Sequence, residues 1–523
     1  MKLKTTVLLA ACGVLLSAAG AFAIPVVRPG VATADPSTTT RSTSGQDGDG
    51  SWDKSSGPRV VAGDTLLMDA RLGHASLPKA SRGETYLFAQ VTASEDKAAP
   101  SAVAPLNLAI VIDRSGSMKG ERIANAMNAA VFALERMRDG DSITVVSFDT
   151  TAQVVVPPTR LSASNRAAIE AAIRSIRLGG DTCISCGLEE AMQELALTSL
   201  GGDRINRMIL LSDGATNAGV RDIGGLRGMA SRMHGRGVTI STIGVDVDFD
   251  EKVMAAIANE ANGRHYFVAN ASGLPAVFGQ EFDDLLASVA KETELTIELA
   301  PGVEVAEVFD RSFRREGNKL IVPFGTFSAG QEKTVLVKLR VPTDRDGDQP
   351  VGDLKLAFRD LVKRTDGACT GSLVTAVRSD GSEQKALDPF VAARLERSRT
   401  AQTLTEANEL FEAGRVGEAR AKLAARKDAL KKTESAALAF AAAVPTAAPR
   451  RSTRALDRDF ADQEAAVAQA EQNFAPPPAV AARPASPSPA AGAGFAPPPP
   501  APSTREGKAQ VRANQEKASR LGF

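Results

Sequence analysis

Histidine, cysteine and aromatic side chains are all scarce in this chain. Its 523 residues hold three His, four Cys, one Trp and two Tyr, and aromatics make up only 4%. With His74, His234 and His265 as the whole supply, and none near a cysteine in sequence, a zinc site drawing on Cys369 is disfavoured. Net charge is lacking too. Lys plus Arg and Asp plus Glu number 62 each, and nucleic-acid binding usually leaves a basic excess, so no nucleic-acid partner is expected. Beyond the N-terminal segment no stretch is long and apolar enough to span a bilayer. The signatures G-x-x-x-x-G-K-[ST], G-x-S-x-G and H-E-x-x-H are missing, so nothing proposes a nucleophile with its base and we expect no enzyme.

What is present begins with an export signal. Lys2 and Lys4 precede an apolar run at 7–16, and "AFA" at 21–23 is a small-x-small cleavage site. The competing reading is a lipoprotein-type box, "LAAC", ending at Cys12, with a very short apolar region before it. Both readings take the protein out of the cytoplasm, to a periplasm, a cell envelope or the medium. Cys183, Cys186 and Cys369 then remain, and a C-x-x-C pair in an oxidising compartment is expected to be bonded. Three is odd, so one thiol stays free or pairs elsewhere.

The length allows two to four domains. Residues 24–58, rich in Ser, Thr, Gly and Asp, cannot bury enough apolar surface to offset ordering entropy and are read as a flexible linker. Short β-like runs fill 59–104. From 105 to 290 strands and helices alternate, as in "LNLAIVID", "GERIANAMNAAVFALERM" and "SITVVSFD", which predicts a mostly parallel, doubly wound α/β sheet covered on both faces. The β rhythm returns over 291–380, in sandwich-like alternation. The two β-rich pieces form either one domain into which the α/β unit is inserted or two separate small units. Residues 387–441 read as a helical hairpin, with part of a tetratricopeptide unit as the weaker alternative. Residues 442–523 turn to Ala and Pro and read as a mostly disordered spacer, interrupted by a short charged helix near 456–472.

The chemistry gathers where apolar strands end. "LNLAIVIDRSGSM" closes on Asp113, Ser115 and Ser117 at alternate positions. Thr182 in "GGDTCISCGL" and Asp213 in "LLSDG" fall at the same carboxyl edge of the expected sheet, where ligands of open α/β sheets bind. All five offer oxygen, the donor that hard cations such as Mg²⁺ or Mn²⁺ favour over imidazole or thiolate. By itself D-x-S-x-S is also a helix N-cap signature, so its weight comes from Thr182 and Asp213 in matching contexts.

D-x-S-x-S followed by a distant Thr and a distant Asp resembles a von Willebrand factor type A domain over roughly 105–290, with its metal-ion-dependent adhesion site. The resemblance implies that the Ser115, Ser117 and Thr182 hydroxyls contact a divalent cation (Mg²⁺, or Mn²⁺ or Ca²⁺), and that Asp113 and Asp213 hold it directly or through waters. A carboxylate on a protein partner would then replace one water, so the cation bridges two proteins in an adhesion-type contact. One departure is Asp181, which stands between the Gly pair and Thr182 and adds a negative charge there.

Two alternatives belong to other classes. Cys183 and Cys186 could serve a thiol–disulfide oxidoreductase, although no thioredoxin-like context surrounds them. The chain could instead be an envelope scaffold that binds no metal. Among weaker motifs, Asp246, Asp248 and Asp250 precede a helix, where acids favour the positive end of its dipole. "DRDGDQ", at 344–349, reads as a polar hairpin and not as a calcium loop, because Gln349 stands where Gly is required.

Overall fold

The computed structural model describes residues 59–95, 104–198, 204–213, 215–246, 249–379, 387–443, 450–475 and 502–522. The expected export signal, Cys12, the linker at 24–58 and the Pro-rich run at 476–501 lie outside the described residues. Four strands open the fold: β1 (Arg59–Gly63), β2 (Leu66–Leu72), β3 (Ser76–Pro78) and β4 (Glu84–Ala93). The α/β region then runs β5 (Leu106–Asp113), α1 (Glu121–Arg136), β6 (Ser142–Phe148), β7 (Ala152–Arg160), α2 (Arg166–Arg174) and α3 (Ile184–Leu197). It continues with β8 (Ile205–Ser212), α4 (Ile223–His234), β9 (Val238–Val245), α5 (Glu251–Glu260), β10 (Asn262–Val268) and α6 (Leu274–Leu286). Next come β11 (Ser288–Leu299), β12 (Glu304–Phe309), β13 (Arg314–Glu316), β14 (Lys319–Ser328), β15 (Glu332–Arg340), β16 (Gly347–Asp360) and β17 (Thr365–Arg378). Helices α7 (Pro389–Glu412), α8 (Val416–Ala443), α9 (Arg450–Asn473) and α10 (Arg505–Gly522) complete the described residues.

The α/β region is one six-stranded sheet in the order β10-β9-β8-β5-β6-β7. Every pairing is parallel except β6 with β7. All eight residues of β5 are buried, which explains why six of them are apolar, Asn107 and Asp113 being the exceptions: helices cover both faces. Side chains alternate across the strand. Leu108, Ile110 and Ile112 join the core with α1 and α6, while Ala109 and Val111 pack with α3, α4 and α5. Each fully buried Leu or Ile there stabilises the fold by roughly 1.5–3 kcal/mol.

The two β-rich pieces make one sandwich. One sheet has the order β1-β2-β4-β15-β12 and the other β13-β14-β11-β16-β17-β3, so both mix strands from before and after the α/β region. Leu66, Leu87 and Val91 share a single apolar core with Leu295, Val322, Val337 and Leu356. The expected hairpin at 344–349 is not one: β15 and β16 lie in different sheets, and the polar segment carries the chain across between them.

The helical region is larger than a hairpin. Helices α7 and α8 fall where the spacing of Ala407, Leu410, Phe411, Ala419 and Leu423 places them, but α9 and α10 join the same core. Leu456, Phe460, Val467 and Phe474 of the α9 segment, and Val511, Ala518 and Leu521 of α10, are buried with Phe411 and Leu423. Phe411 and Phe474 stack with ring centroids 4.2 Å apart. Residues 442–523 are therefore not merely a spacer with one short helix. Two long helices flank the Pro-rich run, and their apolar faces are completed by α7 and α8.

One buried group sets a pH response. The Thr242 hydroxyl donates to the Met254 carbonyl and lies 2.9 Å from His265 Nδ1, which makes Nδ1–H the donor of that second contact. Nε2 is buried without a partner among the described residues. Burial, with a smaller push from Arg512, depresses the His265 pKa from 6.5 to about 3. The unfolded chain therefore takes a proton that the fold refuses, and stability is lost as pH falls below 6.5. Denaturation at pH 7 and pH 5 should show the wild type losing about 2 kcal/mol more than His265→Gln. Equal losses would mean that the imidazole is charged in the fold.

Candidate metal centre

Strands β5 and β8 are parallel neighbours at the centre of the sheet, and their carboxyl ends deliver Asp113 and Asp213 to one edge. Both carboxylates are fully buried. Asp113 is satisfied locally: Oδ1 accepts from the Ser115 backbone N–H at 2.8 Å and Oδ2 from the Ser212 hydroxyl at 2.5 Å. A run of contacts then crosses to Asp213. Ser115 Oγ lies 3.0 Å from Ser117 Oγ, which donates to Asp213 Oδ1 at 2.7 Å. Four of the five expected residues thus form one hydrogen-bonded run. Ser115 is 2% exposed, whereas Ser117 opens to solvent, so the run between the two buried carboxylates reaches the surface at Ser117.

Thr182 stands outside that run. Among the described residues its hydroxyl has no hydrogen-bond partner, but its backbone is tightly held. The Thr182 N–H donates to Asn217 Oδ1 at 2.7 Å, and its carbonyl accepts from the N–H groups of Asn217 and Ala218 and from the Thr216 hydroxyl. The loop before it is fastened to the D-x-S-x-S turn by Gly116 N–H donating to the Gly180 carbonyl at 3.1 Å. The glycine pair is required sterically. A Cβ on Gly179 would stand 1.7 Å from Asp149 Oδ2, and one on Gly180 would stand 2.6 Å from Thr150 Oγ1. Asp181 is exposed and accepts from Asn217 Nδ2 at 3.4 Å.

Electrostatics at the edge are unbalanced. Burial pushes the Asp113 carboxyl up to about 6, hydrogen bonds from Ser212 and Ser115 oppose the rise, and the nearby Asp213 charge adds to it. Asp213 has a cationic neighbour in Arg122 of α1. Arg122 Nη1 donates to Asp213 Oδ2 at 2.7 Å and to the Ser117 carbonyl at 2.9 Å, and Nη2 pairs with Asp246. Asp149, at the end of β6, takes the Gly180 N–H at 3.2 Å and the Arg114 guanidinium at 3.1 Å. Burial works against its charge, but the Thr151 and Gly180 N–H groups and Arg114 prevail and hold it below the ordinary carboxylate range.

Arg122, Asp149 and Ser212 are the members of this edge that the sequence did not single out. Ser212 carried a signal, since it directly precedes Asp213 at a strand end. Asp149 carried the same one in "SFD". Arg122 carried none, because a charge at the start of a helix is usually solvated.

The C-x-x-C pair is bonded, and Cys369 is free. Cys183 caps α3, its sulfur accepting from the Cys186 N–H at 3.3 Å, and is itself fully buried. Gly219, at φ +66°, lies against the bridge: a Cβ there would stand 2.5 Å from Cys183 Sγ. The bridge thus packs the Thr182 loop onto the 216–220 loop that grips Thr182. Asp250 is the N-cap of α5, accepting from the Val253 N–H, as its position before a helix suggested.

A doubly wound sheet with buried oxygen donors gathered at its carboxyl edge defines a class of ligand-binding α/β domain, and the comparisons specify which. Residues 107–280 match the family model of the von Willebrand factor type A domain, and this segment has the fold of such a domain. The chain is 30% identical over 271 residues to the uncharacterized protein YfbK of Escherichia coli, covering 49% of this chain and 46% of that one. It is 28% identical over 266 residues to the uncharacterized protein sll0103 of Synechocystis, covering 49% and 62%. The chain therefore spans less than two thirds of either relative. Among solved structures, a von Willebrand factor type A protein from Catenulispora acidiphila superposes with a TM-score of 0.60 at 18% identity, over 73% of this chain and 88% of that one. The ArnB paralog VWA2 from Sulfolobus acidocaldarius superposes with a TM-score of 0.50, also at 18% identity, over 71% and 91%. At that identity the likeness concerns the fold, and its coverage extends well beyond the α/β domain.

Closing a four-residue loop by a disulfide restricts the unfolded chain by about 2 kcal/mol. The Cys183→Ser/Cys186→Ser variant should lose about that much stability in denaturant. Loss of less than about a quarter of that would show that Gly219 and the Thr182 hydrogen bonds hold the loop unaided.

Proposed function

We propose that the domain binds a divalent cation, Mg²⁺ or alternatively Mn²⁺ or Ca²⁺, at Asp113, Ser115, Ser117, Thr182 and Asp213. Its role is metal-dependent, adhesion-type binding of a protein that presents a carboxylate. The observation that carries the reading is the pair of buried carboxylates joined through Ser115 and Ser117. Asp113 and Asp213 bring two negative charges to one edge, and among the described residues Asp113 has hydroxyl and amide donors but no cationic partner. The donor set fits a hard cation, because carboxylates balance the charge and hydroxyls complete an oxygen shell without adding more. When bound, the cation would supply a positive centre able to accept a partner's carboxylate oxygen. This chain's own residues orient it: the Asn217 and Gly180 contacts fix the Thr182 loop, and exposed Ser117 marks the side open to a partner.

Nothing in this reading makes or breaks a bond, and we assign no enzymatic role. Burial of Cys183 beneath Gly219 favours a structural bridge over a redox-active pair. We further propose, from the export signal read at 1–23, that the domain works outside the cytoplasm; no described helix is long and apolar enough to cross a membrane.

Calorimetry should register Mg²⁺ or Mn²⁺ binding that Asp213→Asn abolishes. Pull-downs from envelope or culture fractions should recover a partner that EDTA and Ser115→Ala both release. Silence in the calorimeter with all three cations favours the scaffold without metal. Insulin reduction that disappears on Cys186→Ser would favour the oxidoreductase.

A further inference from the structure

Helix α10 does more than complete the helical core. Arg505 and Arg512, seven residues apart, lie on one side of it, two turns from each other. Arg512 Nη1 pairs with buried Glu251 Oε2 at 2.7 Å, Nη2 donates to the Phe249 carbonyl at 3.3 Å, and the guanidinium stands 5.3 Å from the Phe249 ring centroid. Arg505 pairs with Asp246 Oδ1 at 3.1 Å. Both arginines therefore grip the segment between β9 and α5, at the same edge of the sheet as the candidate metal centre. The opposite side of α10 is fixed in the helical region, where Asn514 hydrogen-bonds Asn408 and Asn473.

Asp246 connects this grip to the centre. It holds a left-handed backbone conformation, φ +68°, and is 5% exposed. Its Oδ1 faces Arg505 and its Oδ2 pairs with Arg122, whose other terminal nitrogen sits on Asp213 Oδ2. A four-membered chain of charges thus runs Asp213, Arg122, Asp246, Arg505. One guanidinium is divided between a carboxylate of the centre and an aspartate that a second arginine also neutralises.

We infer that α10 sets the cation affinity of the centre through Arg122, docked α10 weakening cation binding and bound cation loosening α10. With Arg505 in place, Asp246 is largely neutralised, and Arg122 keeps its charge on Asp213, where it opposes a second cation. Without Arg505, Asp246 draws Arg122 toward itself and Asp213 is freer to accept a cation. Linkage makes the effect reciprocal: a cation at Asp213 pushes Arg122 onto Asp246, and Arg505 loses part of its attraction. The inference rests on the cation reading above.

The test uses the full chain, with Mg²⁺ and Mn²⁺ as probes, calorimetry for affinity and hydrogen exchange across 502–522 for docking. Arg505→Ala should tighten cation binding about threefold, as loss of one partly exposed ion pair would. In an Arg122→Gln background the same change should have no effect, and saturating cation should speed exchange in the first turn of wild-type α10. Arg520→Ala, which removes one charge about four turns further along α10 and breaks an exposed pair with Glu516, controls for charge alone. Equal affinities for wild type and Arg505→Ala, with α10 exchange unmoved by cation, overturn the coupling and leave the cation site standing. A wild type that binds neither cation overturns both.

Discussion

Two carboxylates buried side by side at the ends of central strands are a costly arrangement, because removing a charge from water is repaid only by partners close at hand. Asp113 and Asp213 hold that position because β5 and β8 are adjacent and parallel, which no local substitution could alter. Their surroundings follow from it. The D-x-S-x-S turn folds back so that the Ser115 N–H serves Asp113, the Ser212 hydroxyl reaches over from the neighbouring strand, and Ser117 spans the gap to Asp213. Even the glycines answer to it at one remove. Gly179 and Gly180 let the Thr182 loop close against Asp149 and Thr150, which brings the third loop to the edge.

How far a sequence discloses such a site depends on whether the relevant contact is local. The apolar run Leu108–Ile112 of β5 states its own burial, and the oxygen donors at strand ends state the edge they occupy. The glycine pair likewise marks a backbone approach too close for a side chain. Arg122 is invisible by the same standard, since its partners Asp213 and Asp246 lie 91 and 124 positions away and an arginine at a helix start is commonplace. The strands of the sandwich could be read from alternation, but not their pairing, which is decided by segments on either side of the α/β domain. Helix α10 offers only Val511, Ala518 and Leu521 among many charges. Its burial depends on faces of α7 and α9 that become complementary only once assembled.

Rigidity around Thr182 is built twice over. Backbone hydrogen bonds from the 216–218 segment fix its carbonyl, and the Cys183–Cys186 bridge seats the start of α3 against Gly219. A donor residue whose backbone is held this firmly loses little backbone freedom when it engages a ligand, which is the advantage of organising a site before it is filled. Serine at 117 differs: it is exposed, its hydroxyl meets Ser115 and Asp213, and its carbonyl accepts from Arg122.

The interleaved sandwich has a consequence for how the chain is made. Strand β4 pairs along its length with β15, residue 84 opposite residue 340, and the α/β domain lies between them in sequence. During synthesis β2 and β4 are present while β15, the partner of β4, is not, and an open edge with an apolar face waits for it. The α/β domain needs no strand outside its own span and can close first, bringing its two ends near each other and shortening the search that β15 must make. The topology thus permits one order of assembly in which the middle closes before the flanks that embrace it.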